Sequence, residues 1–218
     1  MSLYITIDPA LAKTGVCWKC EHCNVLAFAA LHTEKTDTTI IGTYKRAQTM
    51  VSLLIDHLTN VVEAHSVCKD RTITILTEIP PVHGNWSPGL FLLYGIMMEE
   101  LTGHIIKNAL EHCGYSQAEL LNVSPRTIRS LLGEKQGVLD LLGVEDQKAV
   151  KKLSPYLKKA SKLTASRFLD SLGILNINLT DDESDAIMLM TLFHKENEYV
   201  REKIGDERTK KIKILRVV

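Results

Sequence analysis

The sequence has no surplus of charge of either sign: 26 lysines and arginines face 26 aspartates and glutamates across 218 residues. That balance argues against a uniformly basic nucleic-acid binder. No unbroken apolar run comes near the roughly 18 residues of a membrane span, so no membrane partner is expected. No charged-then-apolar leader and no Arg/Ser-rich transit segment precedes the first strand-like run, and the expected location is the cytoplasm. Internal repeats and low-complexity segments are lacking too. The five cysteines are an odd number and read as reduced thiols rather than a disulfide framework. What is present is ordinary globular composition, 45% apolar and 24% charged. The length suits one domain, 1–218, with a helical insertion at about 134–157 and a basic tail at 208–218.

Periodicity orders the elements. Residues 2–8, 15–18 and 25–31 read as strands, the last two joined by the polar turn Lys19 to Asn24. A helix is expected from about Thr39 to His65, because Ile40, Ile41, Tyr44, Ala47, Val51, Leu54, Ile55, Leu58, Val61 and Val62 recur at three and four. Residues 72–78 form an apolar strand stopped by Pro80-Pro81, and residues 82–89 a loop. A helix over about 90–112, a short strand over 119–123 and a helix over 126–132 follow. Further helices cover 158–172 and run on from Thr180, where Thr180 and Glu183 have capping-box spacing. Ile212, Ile214 and Val217 in the tail can add a strand, or the tail can stay mobile. The pattern predicts an α/β fold: a mixed five-stranded sheet, three antiparallel strands then parallel ones, flanked by helices.

Acidic residues stand at three distant, structurally sensitive points. Asp8 ends the first strand, Glu78 ends the fourth, and Asp182 and Asp185 open the last helix, three apart on one face. A carboxylate closing a central strand is costly to bury without a partner. Four converging carboxylates repel one another unless divalent cations neutralise them, and two such ions side by side serve phosphodiester cleavage.

The segment Ile7-Asp8-Pro9-Ala10-Leu11-Ala12-Lys13-Thr14-Gly15 resembles the opening Ile-Asp-Pro-Gly-x-x-x-x-Gly of RuvC-type Holliday junction resolvases. Thr77-Glu78 looks like that family's second acidic site, and Asp182-x-x-Asp185-Ala186 like its closing motif. The resemblance spans roughly residues 3–132 and 156–195. It implies an RNase H-like fold and symmetric nicking of four-way junctions, leaving 5′-phosphate and 3′-hydroxyl ends. It also implies two Mg2+ ions, replaceable by Mn2+, on Asp8, Glu78, Asp182 and Asp185. A homodimer through the 90–112 helix is implied as well. Lys159 and Lys162 fall where the family's phosphate-contacting lysines lie, and the choice between them stays open. Ala10 replaces a glycine, and the family's junction-wedging aromatic has no counterpart at Ile79 to Pro81, leaving His83 or Trp86 to serve. Such departures suit a divergent member, more viral than bacterial in type. The alternatives are a nuclease of this fold acting on other branched DNA, RNA or hybrids, and a non-catalytic junction-binding protein.

Residues 147–169 hold no acid but carry Lys148, Lys151, Lys152, Lys158, Lys159, Lys162 and Arg167. A positive flank beside an acidic centre steers and holds a polyanion. Arg126 and Arg129, three apart on the short helix after Pro125, add candidate backbone contacts. Cys17-x-x-Cys20-x-x-Cys23, with His22 beside it, hints at zinc. Closed zinc sites use two well-separated ligand pairs, so the run reads as plain thiols on a hairpin turn, where Cys17 and Cys23 can face each other.

Overall fold

The computed structural model describes residues 2–34, 39–67, 71–79, 88–123, 134–144, 152–191 and 214–217. Six strands form one sheet in the order β3-β2-β1-β4-β5-β6. They are β1 (Ser2–Asp8), β2 (Lys13–Cys20), β3 (Val25–His32), β4 (Arg71–Glu78), β5 (Tyr115–Val123) and β6 (Ile214–Val217). Strands β1, β2 and β3 are antiparallel neighbours, while β4 pairs parallel with both β1 and β5. This is the expected mixed five-stranded sheet, three antiparallel strands then parallel ones. The tail adds β6, antiparallel to β5 at the edge. β2 and β5 begin earlier than periodicity suggested, because Lys13 and the polar start of β5 are held in register by their neighbours.

Helix α1 (Ile40–Ala64) starts at Thr39, whose hydroxyl accepts from the Gly42 amide, as an N-cap should. Helices α2 (Pro88–Glu100) and α3 (Lys107–Glu111) are continuous through a π-helical turn, Leu101–Ile106. The expected insertion contains α4 (Glu134–Leu141). Helix α5 (Ser154–Ser171) begins four residues before the expected 158, because Pro155 sits in its first turn, where proline has no amide to waste. Helix α6 (Asp181–Met190) carries the full capping box at Thr180 and Glu183. The expected helix over 126–132 lies outside the described residues.

Strand alternation sends side chains to two cores. Leu3, Ile5, Ile7, Val16, Cys20, Ile73 and Ile75 pack with α1 and the α2–α3 helix. Cys17 packs with Phe168, Leu169, Ile187 and Met190 of α5 and α6 on the opposite face. Helices thus cover both faces of the sheet.

One expectation is corrected. The helix Pro88–Glu111, 24 residues with mean hydropathy 1.2, is by length and composition long and apolar enough to cross a membrane. Glu99, Glu100 and Lys107 break the run, so counting unbroken apolar residues misses it. Its Leu93, Met97, Leu101, Ile105 and Ile106 are buried in the core against α1 and the sheet.

Candidate functional site

The site forms where β1 and β4 end and α6 begins. The pairing Ile7–Thr77 sets Asp8 and Glu78 level on adjacent parallel strands. Alternation turns both away from the α1 core, since Ile7, Ile73 and Ile75 occupy that side. On the other side Thr6 donates a buried hydrogen bond of 2.6 Å to the Ala186 carbonyl, which ties β1 to α6. Asp8 pairs with Gly15 on β2, and a Cβ at Gly15 would collide with the backbone carbonyl of Asp182. Glycine there is what lets the N-terminal turn of α6 lie against β2, beside Asp8.

The electrostatics record this convergence. Burial, then the charges of Asp185 and Asp182, push Asp8 up from 3.8 to about 7, with Lys158 opposing them. Asp185 is also raised, first by burial, and a hydrogen bond from buried Ser161 on α5 offsets part of the rise. Asp182 is ion-paired to Lys13 at 3.2 Å. Asp181 is gripped by Lys162 at 2.7 Å and Lys158 at 3.0 Å, one turn apart on α5. Those two hydrogen bonds, Lys162 first, hold the Asp181 carboxyl below its usual range.

Asp8, Asp182 and Asp185 therefore share one electrostatic environment, with Glu78 level with Asp8 on the next strand. No three of the four bring their oxygens within 4.8 Å of one another; among the described residues only Cys20, Cys23 and His65 reach that spacing. The donor set is all oxygen and strongly anionic, which fits a hard divalent cation.

Of the expected DNA contacts, Lys152, Lys158, Lys159 and Lys162 are exposed on or just before α5. Lys158, not Lys159, is the lysine that feels Asp181, Asp185 and Asp182 together: its hydrogen bond to Asp181 first, then the charges of all three, raise its pKa. Lys148, Lys151, Arg126, Arg129, His83 and Trp86 lie outside the described residues. Lys13 and Ser161 escaped the sequence reading. Lys13 stood inside a recognised motif as a spacer, and Ser161 had no local signal at all. Cys17 and Cys23 do not face each other: Cys17 is fully buried on the α5/α6 side, whereas Cys23 is exposed in the β2–β3 turn.

Sheet order and site together define an α/β protein with a mixed sheet, helices on both faces and acidic residues gathered at the ends of its middle strands. No protein-family model matches the chain, and no curated protein matches it. Among solved structures it is similar to a Thermus thermophilus RuvC structure, at 14% identity over 98% of this chain and 99% of that one, with a TM-score of 0.46. It is also similar to T. thermophilus RuvC in complex with Holliday junction substrate, at 12% identity over 93% and 96%, with a TM-score of 0.45. The reading of the site stands on its own residues.

Proposed function

We propose that this chain is a divalent-metal-dependent endonuclease that cuts four-way DNA junctions, acting as a homodimer. The observation carrying this reading is that Asp8, buried at the end of β1 and level with Glu78 on the neighbouring strand, is raised to about 7 by burial first and then by the charges of Asp185 and Asp182 beside it. A cluster of acids that disfavours its own ionisation is stabilised by cations, and the ordered motif resemblance names the chemistry.

Asp8, Glu78, Asp182 and Asp185 would hold two Mg2+ ions. When bound, such ions polarise the phosphate and supply a water acidic enough to attack near neutral pH. The chain's own residues prepare the site. Ser161 orients Asp185, and Lys13 fixes Asp182. Lys158 and Lys162 neutralise Asp181, so that it does not repel an approaching phosphate. Lys152 and Lys159 are exposed for contacts to the DNA backbone, which position without reading sequence. The helix Pro88–Glu111 is the proposed two-fold interface, supported by Phe91 at 56% exposure, one turn from exposed Gly95. A two-fold dimer matches the paired strands of a junction.

The test is cutting of a labelled four-way junction with and without Mg2+, beside linear, flap and hybrid substrates. Asp8→Asn is expected to reduce cutting at least 100-fold while junction binding stays within about threefold, since one carboxylate supports transition-state stabilisation of a few kcal/mol. Undiminished cutting by the variant removes the assignment. Preference for hybrids or flaps keeps the nuclease and replaces its substrate.

A further inference from the structure

A second cluster of ligating side chains lies on the α1 side of the sheet, across it from the acidic centre. Cys20 ends β2, Cys23 stands in the turn that follows, and His65 caps the C-terminus of α1. Their donor atoms all lie within 4.8 Å of one another. Cys23 Sγ and His65 Nδ1 are 3.8 Å apart. Zinc bond lengths of about 2.3 Å to sulfur and 2.0 Å to nitrogen put tetrahedral ligands roughly 3.5 Å apart, so the pair is already close to a shared-ion spacing.

The fold explains why these three meet and others do not. Along β2, Cys17 and Cys20 point to opposite faces, Cys17 to the α5/α6 core and Cys20 to the α1 core. The Cys-x-x-Cys-x-x-Cys run therefore cannot close on one ion. The turn from Glu21 to Asn24 instead brings Cys23 back to the Cys20 side, helped by Asn24 in the left-handed conformation at φ 50°. The 25-residue α1 delivers His65 to the same place from 42 positions away. Glu21 is engaged elsewhere, accepting from the Ser2 amide and the Tyr4 hydroxyl.

We infer that Cys20, Cys23 and His65 form a structural zinc site that clasps the β2–β3 turn to the end of α1. Two thiolates and an imidazole are a borderline-soft donor set, matched to Zn2+ rather than to the Mg2+ that suits the carboxylates. Binding displaces the two thiol protons as the sulfurs ligate, and no oxidant takes part. Three protein donors leave one tetrahedral position for water or a fourth side chain. The three ligands are Cys20, Cys23 and His65; in sequence Cys68 follows His65 at the spacing that separates Cys20 from Cys23, but it lies outside the described residues and is no part of the site.

The experiment is metal analysis of the full chain, expressed with zinc and dialysed in excess Mg2+. Wild type is expected to retain about one zinc per chain, and Cys23→Ser and His65→Ala to fall at least fivefold. Both positions are at the surface or half-buried, so the variants keep the fold, and Cys113→Ala, a buried cysteine that is not one of the three clustered ligands, should retain the zinc. Cobalt substituted into wild type should give a sulfur-to-metal charge-transfer band that Cys23→Ser diminishes, a signal no carboxylate centre produces. A zinc-selective chelator should lower the wild-type Tm by about 5 °C or more. Zinc-free wild type, or Cys23→Ser and His65→Ala retaining as much zinc as wild type, overturns the site. Neither result bears on the nuclease reading.

Discussion

At the scale of single residues, Asp8 and Gly15 carry most of the site's physics. Asp8 holds its proton to about pH 7 in the fold and to about 3.8 when unfolded. Between these values the folded chain binds more protons than the unfolded one, so stability falls as pH rises through that window and levels off above it. Asp185, raised in the same direction, adds to the slope. Asp8→Asn removes the ionisable group. In chelator-treated buffer it is expected to be more stable than wild type by about 1–3 kcal/mol at pH 8, with the gain vanishing near pH 4. Urea denaturation across pH checks this, and a constant difference at both ends would place Asp8 outside the cluster. Gly15 is the steric counterpart. Alanine there meets the backbone carbonyl of Asp182, which no rotamer can relieve, and is expected to cost about 2–4 kcal/mol while pushing α6 off β2. Gly95→Ala, whose Cβ has nothing within 4 Å in a helix, should instead gain up to about 1 kcal/mol in the isolated chain. In the sequence Asp8 stood out only as one of three distant acidic points at element ends and as part of the opening motif, since an aspartate before proline also suits a plain turn. Gly15 was legible only as part of a motif, since its reason lies 167 residues away in the carbonyl of Asp182.

Among the elements, the short α6 is the one whose placement matters most. Its Thr180–Glu183 box satisfies amides that would otherwise be orphaned, and its three first-turn acids lie where the helix dipole favours negative charge. Thr180→Ala removes the Glu183 amide's acceptor and one donor to the Glu183 carboxylate. The expected cost is about 1 kcal/mol of stability. A several-fold weaker midpoint for Mg2+ activation should accompany it, because Asp182 and Asp185 lose a fixed helix start. Titration of cutting against Mg2+ separates the two effects: an unchanged midpoint would mean that β2 contacts alone position the acids. Local signals of this kind were readable, and cap, spacing and strand-end acids all fell where expected. The elements that were not readable depend on partners. The π turn in Leu101–Ile106 has no sequence signature, and β2 extends to Lys13 only because β3 pairs with it; β6 was readable as an option, which the β5 edge realises. Cys20 and His65 meet only once the sheet and α1 are both in place, so a search along the chain for paired ligands favours Cys17, the wrong sulfur.

For the whole molecule, neutrality conceals a division of labour between an acidic centre and the basic α5 beside it. Lys158 and Lys162 are both tied to Asp181, so this corner contributes one net positive charge rather than two. Lys159, on the same helix, has no ion-pair partner among the described residues and is exposed. The two arrangements respond to mutation with opposite signs. Each phosphate neutralised by a lysine contributes roughly −0.9 to the slope of log affinity against log salt. Lys159→Ala is therefore expected to flatten that slope by about one unit and weaken junction binding at low salt, uniformly across sequences. Asp181→Asn releases both lysines, and should steepen the slope by about one unit and tighten binding at low salt. The loss of a first-turn acid costs it less than about 1 kcal/mol of helix stability. Fluorescence anisotropy over a salt series reads both variants in the absence of Mg2+, so that binding is separated from cutting. If Asp181→Asn weakens binding instead, Asp181 acts by aiming the two lysines at DNA rather than by restraining them, and α5 binds as a preformed surface whose geometry outweighs its charge.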